Sequence, residues 1–143
     1  MSEGRKHLVG EAEVWLAHDQ EEIRRAEHAL LRDVASANYS EASSFAIRLA
    51  LEEAVYNAFR HGHKTLPHSE KVLLSWRVTD DEVIITVEDK GPGFKPSAVP
   101  DPTTSERLEL PHGRGVMLMK AYMTVVQYNE KGNRVTMIYK KPH

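Results

Sequence analysis

The chain has 143 residues, of which 41% are hydrophobic, so we expect it to fold around a packed core rather than remain disordered. Its 19 basic and 21 acidic side chains give a formal net charge of −2, which argues against direct nucleic-acid binding through a basic surface. Because the chain has no cysteine, disulfides and thiolate metal sites are excluded.

The first residues lack the apolar run of a signal peptide, and no apolar segment approaches the ~20 residues that a membrane-spanning helix needs. We therefore expect a soluble, cytoplasmic protein that makes no membrane contact. Its length predicts one domain, covering residues 1–143.

Apolar and polar residues alternate between residues 12 and 18, which predicts a first strand. Asp19 followed by Glu22 is typical of a capping box, and apolar residues then recur at helical spacing. A second helix is predicted from near Ser40 to Gly62.

The middle of the chain predicts a hairpin, since residues 72–78 and 83–87 alternate on either side of the turn at Asp80–Asp81. Residues 95–112 follow with four prolines and little periodicity. A structureless segment of this length inside a small domain is usually functional, and we expect a lid.

A third helix is predicted to begin around Arg114–Gly115, followed by a closing hairpin of residues 124–128 and 134–140. The predicted order is strand, helix, helix, two strands, lid, helix, two strands. This order favours an α+β fold: a two-layer sandwich with a mixed, mostly antiparallel sheet covered on one face by helices.

Three blocks of the sequence carry candidate chemistry. In the first, EEAVYNAFRHG at residues 52–62, the side chains of Glu53, Asn57 and His61 are four residues apart and share one stripe of the second helix. Small residues at Ala46 and Ala50 continue the stripe and leave room beside it. A solvated helix flank would have the same pattern.

The second block is DKGPGF at residues 89–94, where Asp89 ends a strand and Gly91 and Gly93 follow. Glycines there let the backbone approach a flat ligand closely, and the carboxylate can accept a hydrogen bond from an exocyclic amine. An ordinary turn after a strand has the same composition.

The third block is HGRGVMLM at residues 112–119, which places Gly113 and Gly115 before an apolar helix. A glycine-rich turn at a helix N-terminus offers N–H donors and a favourable dipole to phosphate. The block matches neither the Walker loop nor the dinucleotide fingerprint, and a plain glycine N-cap is the alternative.

Together these blocks resemble the N, G1 and G2 boxes of the histidine-kinase-like ATPases, which share the Bergerat nucleotide-binding fold. The match is closest to the anti-sigma factor serine kinases: E-A-V-x-N-A-x-x-H-G, D-x-G-x-G-F and G-R-G-x-x-L-M occur with similar spacing. The resemblance extends over about residues 12–140.

The resemblance implies ATP and Mg²⁺ as ligands. Asn57 would coordinate the magnesium ion, Glu53 would be the general base, and Asp89 would bind the adenine amino group. The resemblance also places several residues at the nucleotide: Gly91, Gly93, Gly113, Gly115, Val116, His61 and Thr136. Arg114 would stabilise charge on the transferring phosphoryl group. Arg107 of the lid is an alternative to Arg114.

The function implied is an ATP-dependent serine/threonine kinase that acts as an anti-sigma regulatory factor. Its partners would be a STAS-type anti-sigma-factor antagonist, which it phosphorylates, and a sigma factor; relatives also suggest a homodimer. Two alternatives stay open: a nucleotide-responsive sigma-factor-binding protein without transfer activity, and a detached catalytic domain of a sensor histidine kinase.

Two positions depart from the pattern of that branch, Lys95 after the second block and Thr124 after Met123. They bear on partner choice rather than on chemistry. A zinc site at His61, His63 and His68 is disfavoured, because no single helix or strand aligns the three.

Overall fold

The computed structural model describes residues 7–62, 71–89 and 119–142, with the side chains of residues 61 and 62 left aside. Within these ranges two helices and five strands follow the predicted order. They are β1 (Leu8–Leu16), α1 (Gln20–Ser36), α2 (Glu41–Gly62), β2 (Val72–Thr79), β3 (Glu82–Glu88), β4 (Val125–Tyr128) and β5 (Arg134–Lys140).

The five strands form one sheet in the order β1-β2-β3-β5-β4, and all neighbouring pairs are antiparallel. Burial alternates along β2 and β3, so one face is apolar and covered. Ile85 lies between Trp76 and Met137 on that face, and all three are buried. The predicted α+β sandwich with helices on one face is confirmed.

The start of α1 shows how closely local sequence sets a boundary. The Asp19 side chain accepts a hydrogen bond from the Glu21 backbone N–H at 2.8 Å, as expected of an N-cap. Glu22 does not complete a capping box with Asp19; its carboxylate accepts from the Ala17 backbone N–H, five residues earlier. The N-cap at Asp19 was predicted, but the Glu22 side chain bonds to the backbone of Ala17 rather than to that of Asp19.

The second helix begins where the sequence predicts. The Ser40 hydroxyl accepts from the backbone N–H of Ser43, which satisfies one of the free donors at the helix N-terminus. Leu30 and Val34 of α1 and Ile47 and Leu51 of α2 are fully buried, and they form a single apolar cluster with the inner face of the sheet. No described helix is long and apolar enough to cross a membrane.

The first strand is longer than predicted, since it starts at Leu8 and ends at Leu16 rather than covering residues 12–18. The register of its pairing with β2 is irregular between Leu8 and Gly10, and this irregularity hides the alternation in the sequence. Residues 119–122 are helical, which fits the end of the predicted third helix. The predicted start of that helix and the predicted lid lie outside the described residues.

Candidate functional site

Asn57 lies on α2 and is only 3% exposed, so its side chain points into the protein rather than along a solvated helix flank. Among the described residues, neither the amide oxygen nor the amide nitrogen has a partner in full hydrogen-bond geometry. The amide is nevertheless close enough to the Tyr128 hydroxyl to influence the pKa of that phenol. A buried amide without a partner costs free energy in the folded state. Such a group is retained most readily where a ligand satisfies it.

Asp89 directly follows β3 and is 6% exposed. Its backbone is held by the β4–β5 hairpin, because its N–H donates to the Asn133 carbonyl and its carbonyl accepts from the Asn133 side-chain amide, each at 2.9 Å. The end of β3 is therefore fixed at both backbone groups. This fixes the position from which the Asp89 carboxylate is presented.

One crevice brings these two residues together beneath α2, at the end of the sheet. It has room for about one water molecule, with a volume of about 10 Å³. The lining residues are Ala54, Asn57, Ala58, Val87, Asp89, Tyr128, Gly132, Asn133 and Val135. The crevice joins the first of the three sequence blocks to the second, as their shared role requires.

Glu53 lies one helical turn before Asn57 and is half-buried. Burial raises the pKa of its carboxyl, and the neighbouring charge of Glu52 raises it further. Glu53 does not line the crevice, so its carboxylate is separate from the Asn57–Asp89 pair. A carboxylate with a raised pKa at this position is suited to accepting a proton.

The structure places Thr136 away from the crevice. Successive residues of a strand point to opposite faces, and Val135 and Met137 are buried on the helix-covered face. Thr136, which pairs with Thr86 and Gln127, therefore lies on the other face and does not line the crevice. Its neighbour Val135 lines it instead.

The sequence reasoning missed Tyr128, the last residue of β4. Its hydroxyl oxygen is buried, and burial raises the pKa of the phenol to about 12. The nearby Asn57 amide opposes that rise, and the negative charge of Asp89 adds to it. The available signal in the sequence was the predicted closing hairpin. In the structure its pairing of Tyr128 with Val135 places both on the covered face.

The remaining hairpin residues hold this wall of the crevice in place. Asn129 follows β4, and its side-chain oxygen accepts from the backbone N–H groups of Gly132, Asn133 and Arg134. Gly132 has a positive φ of 79°, which a side chain would resist. The glycine in the predicted loop is therefore a conformational requirement.

Several predicted site residues cannot be placed. His61 belongs to α2 by its backbone, and nothing is described of its side chain. The others lie outside the described residues: Gly91, Gly93, Arg107, Gly113, Arg114, Gly115, Val116 and, for the zinc alternative, His63 and His68. The predicted phosphate side of the site therefore stays a prediction, and the described part is the end that holds Asn57 and Asp89.

The oxygen donors of the crevice suit a magnesium nucleotide. Mg²⁺ prefers oxygen ligands and keeps several waters, so one amide oxygen from the protein is a sufficient direct contact. The unpartnered amide of Asn57 offers such an oxygen, and Asp89 offers a carboxylate acceptor. The antiparallel sheet with helices on one face, and the crevice with two buried polar side chains at its end, define an α+β domain with a candidate nucleotide site.

The chain belongs to the histidine kinase-like ATPase domain family, whose model matches residues 16–139. It is similar to the anti-sigma F factor of Clostridium perfringens (strain SM101), with 34% identity over 98 residues, 66% of this chain and 69% of that protein. The anti-sigma F factor of Oceanobacillus iheyensis is 33% identical over 96 residues, 64% of this chain and 65% of that protein. The serine/threonine-protein kinase BtrW of Bordetella bronchiseptica is 29% identical over 107 residues, 73% and 72% respectively.

Proposed function

We propose that this chain is a magnesium- and ATP-dependent serine/threonine kinase that acts as an anti-sigma regulatory factor. Its substrate in this proposal is a STAS-type anti-sigma-factor antagonist, and its second partner is a sigma factor. The similarity to relatives named anti-sigma F factor and serine/threonine-protein kinase supports the branch. The observation that carries the proposal is the buried, unpartnered Asn57 amide in the same crevice as Asp89.

The proposal treats residues 1–143 as one catalytic domain, because the described strands form one sheet over one apolar cluster. In it, Asn57 holds the magnesium ion and Asp89 accepts a hydrogen bond from the adenine amine. When bound, magnesium neutralises charge on the phosphates. Gly91, Gly93, Gly113, Gly115 and Val116 are assigned to the nucleotide, with His61 supporting the phosphate edge.

Glu53 is the proposed general base. The hydroxyl oxygen of the substrate serine or threonine forms a bond to the γ-phosphorus, while the bond from phosphorus to the β–γ bridging oxygen breaks and ADP leaves. The hydroxyl proton passes to the Glu53 carboxylate. Arg114 is proposed to stabilise the negative charge on the transferring phosphoryl group.

The position of Glu53 outside the crevice supports this division of labour. The general base has to face the attacking hydroxyl of the protein substrate. The end of the pocket that binds the nucleobase has to exclude that hydroxyl. Asn57 and Glu53 are one turn apart on the same helix. Their separation by a rigid turn therefore fixes the distance between the metal ligand and the base.

The decisive experiment incubates the protein with γ-labelled ATP, magnesium and a candidate STAS-type antagonist. The proposal predicts acid-stable label on a serine or threonine of the antagonist, and loss of label in a Glu53→Gln variant. A Glu52→Gln variant is the matched control at a pH above the acid limb of the transfer rate, because it removes a carboxylate from the adjacent, exposed position.

Other outcomes separate the alternatives. Acid-labile phosphohistidine would identify a detached sensor-kinase domain. ATP binding without any transfer, together with capture of a sigma factor, would identify a nucleotide-responsive binding protein. Absence of magnesium-dependent ATP binding would contradict all three.

A further inference from the structure

Tyr128 is the largest side chain among the described residues that line the crevice. Several of the other described lining residues are small: Ala54 and Ala58 of α2, and Gly132 and Val135 of the hairpin. Among the described lining residues, this phenol ring therefore fills the most space. Removing that ring would open more space than any other single change at this place.

Between its described lining residues, the crevice has room for an exocyclic group but not for a whole nucleobase. Its volume of about 10 Å³ corresponds to about one water molecule, whereas a purine is a bicyclic ring. A base that reaches the Asp89 carboxylate has to enter the space that Tyr128 bounds. The phenol ring of Tyr128 therefore limits how far the nucleobase can enter.

The β4–β5 hairpin holds this ring in place although β4 is short. β4 is a four-residue strand at the end of the sheet, and β5 is its described neighbour. Short edge strands have fewer cross-strand contacts than central ones and yield more easily. The adjoining loop is nevertheless held by the three hydrogen bonds to the Asn129 side chain, so the position of Tyr128 is defined.

We propose that the Tyr128 ring is the size-determining wall of a purine pocket, so that the protein accepts an adenine with a free exocyclic amine and rejects purine nucleotides with a bulky group on that amine. This inference rests on the proposed function, in which Asp89 binds the amine. A substituent on the amine points towards the groups around Asp89, and Tyr128 lines the same crevice. The ring volume, rather than the hydroxyl, is what excludes the substituent.

The test compares ATP with N6-benzyl-ATP by isothermal titration in the presence of magnesium. The unaltered protein should bind ATP and bind the benzyl analogue at least about tenfold more weakly, the usual scale of steric discrimination in a pocket. Tyr128→Ala should reverse or abolish that preference. Tyr128→Phe keeps the ring and should retain the preference of the unaltered protein.

Gln127→Ala is the matched control, because it alters the neighbouring residue of β4, which is exposed and lies on the other face of the sheet. It should leave both affinities unchanged. Tyr128→Leu provides a milder reduction in volume if the alanine variant does not fold, and circular dichroism checks each variant.

The results separate this inference from the function on which it rests. If the unaltered protein binds ATP but the preference is the same in Tyr128→Ala or Tyr128→Leu, the pocket role of Tyr128 is refuted while ATP binding stands. Equal binding of the two nucleotides by the unaltered protein also refutes it. If no ATP binds, the proposed function fails and this inference fails with it.

Discussion

Asn57 on α2 and Asp89 after β3 line the same crevice, one as a buried amide without a described partner and the other as a buried carboxylate. The helix packs on the sheet so that its polar residue lies over the end of a central strand. Without a ligand at this place, the Asn57 amide has no partner in hydrogen-bond geometry among the described residues. The free-energy cost of that group gives the first prediction.

Replacing Asn57 by alanine should weaken magnesium-dependent ATP binding by about 100-fold or more, because even outer-shell groups typically contribute 10–100-fold to metal affinity. The same change should lower the free energy of unfolding by no more than about 1 kcal/mol, since it also removes a buried polar group without a described partner. Calorimetry with nucleotide and thermal unfolding without it measure the two effects.

Asn133→Ala is the control for the stability part of that prediction. Its side-chain amide donates to the Asp89 carbonyl and its side-chain oxygen accepts from Asn129. Losing both bonds should cost about 1–2 kcal/mol. Equal destabilisation by the two variants would show that the Asn57 amide is satisfied in the folded protein.

Glu53→Gln should reduce phosphoryl transfer by at least about 100-fold, the usual contribution of a general base, and leave ATP affinity within about twofold. The base has to be ionised, and the raised pKa of Glu53 moves the acid limb of the transfer rate to higher pH. Glu52→Gln removes the second cause of that rise, so it should move the limb to lower pH. A pH profile that is the same in the unaltered protein and in Glu52→Gln would contradict the assignment.

Glu27 gives a prediction about stability rather than catalysis. Glu27 and Glu52 both line a groove between α1 and α2. Burial raises the pKa of Glu27 to about 7, and the hydrogen bond and charge of Glu52 add to this rise. The positive charge of Arg48 opposes it to a smaller extent. The folded protein therefore binds more protons than the unfolded chain between pH 4.5 and about 7. The contribution of Glu27 to the free energy of unfolding should be greatest below pH 4.5 and should be lost as the pH rises through about 7.

Solvent screens this half-buried carboxyl, so we expect its contribution to be about 1–2 kcal/mol. Denaturant unfolding of the unaltered protein and of Glu27→Gln at several pH values measures it. The variant should lose that part of the pH dependence, whereas Glu13→Gln, on the exposed face of β1, should not. An unchanged slope in Glu27→Gln would refute the prediction.

Gly10→Ala should destabilise the protein by about 1–3 kcal/mol, because a Cβ atom at that position would overlap the Asp33 carboxylate. Asp33 cannot turn away freely, since it accepts a hydrogen bond from the Trp76 indole N–H at 2.9 Å. In an Asp33→Ala background the same glycine change should cost less. Additive effects in this double-mutant cycle, measured by thermal unfolding, would exclude the overlap as the cause.

The alternation of apolar residues in β2 and β3, the cap at Asp19 and the helical stripe of α2 are local patterns, and the sequence alone was enough to predict these elements. The three sequence blocks also resembled a known ATPase family, to which the chain belongs, and that resemblance singled out Asn57, Glu53 and Asp89. Such features depend on residues close together in the chain, where backbone geometry fixes which side chains share a face.

Only the tertiary structure placed Asn57 beside Asp89, kept Glu53 outside their crevice and brought Tyr128 into it. It also placed Val135 rather than Thr136 at the crevice. The register of a strand decides which of two neighbouring residues faces the site, and a shift of one residue reverses that choice. These facts arise from the packing of α2 on the sheet and from the β4–β5 hairpin. Contacts between distant segments depend on the whole core, and no local pattern in the chain specifies them.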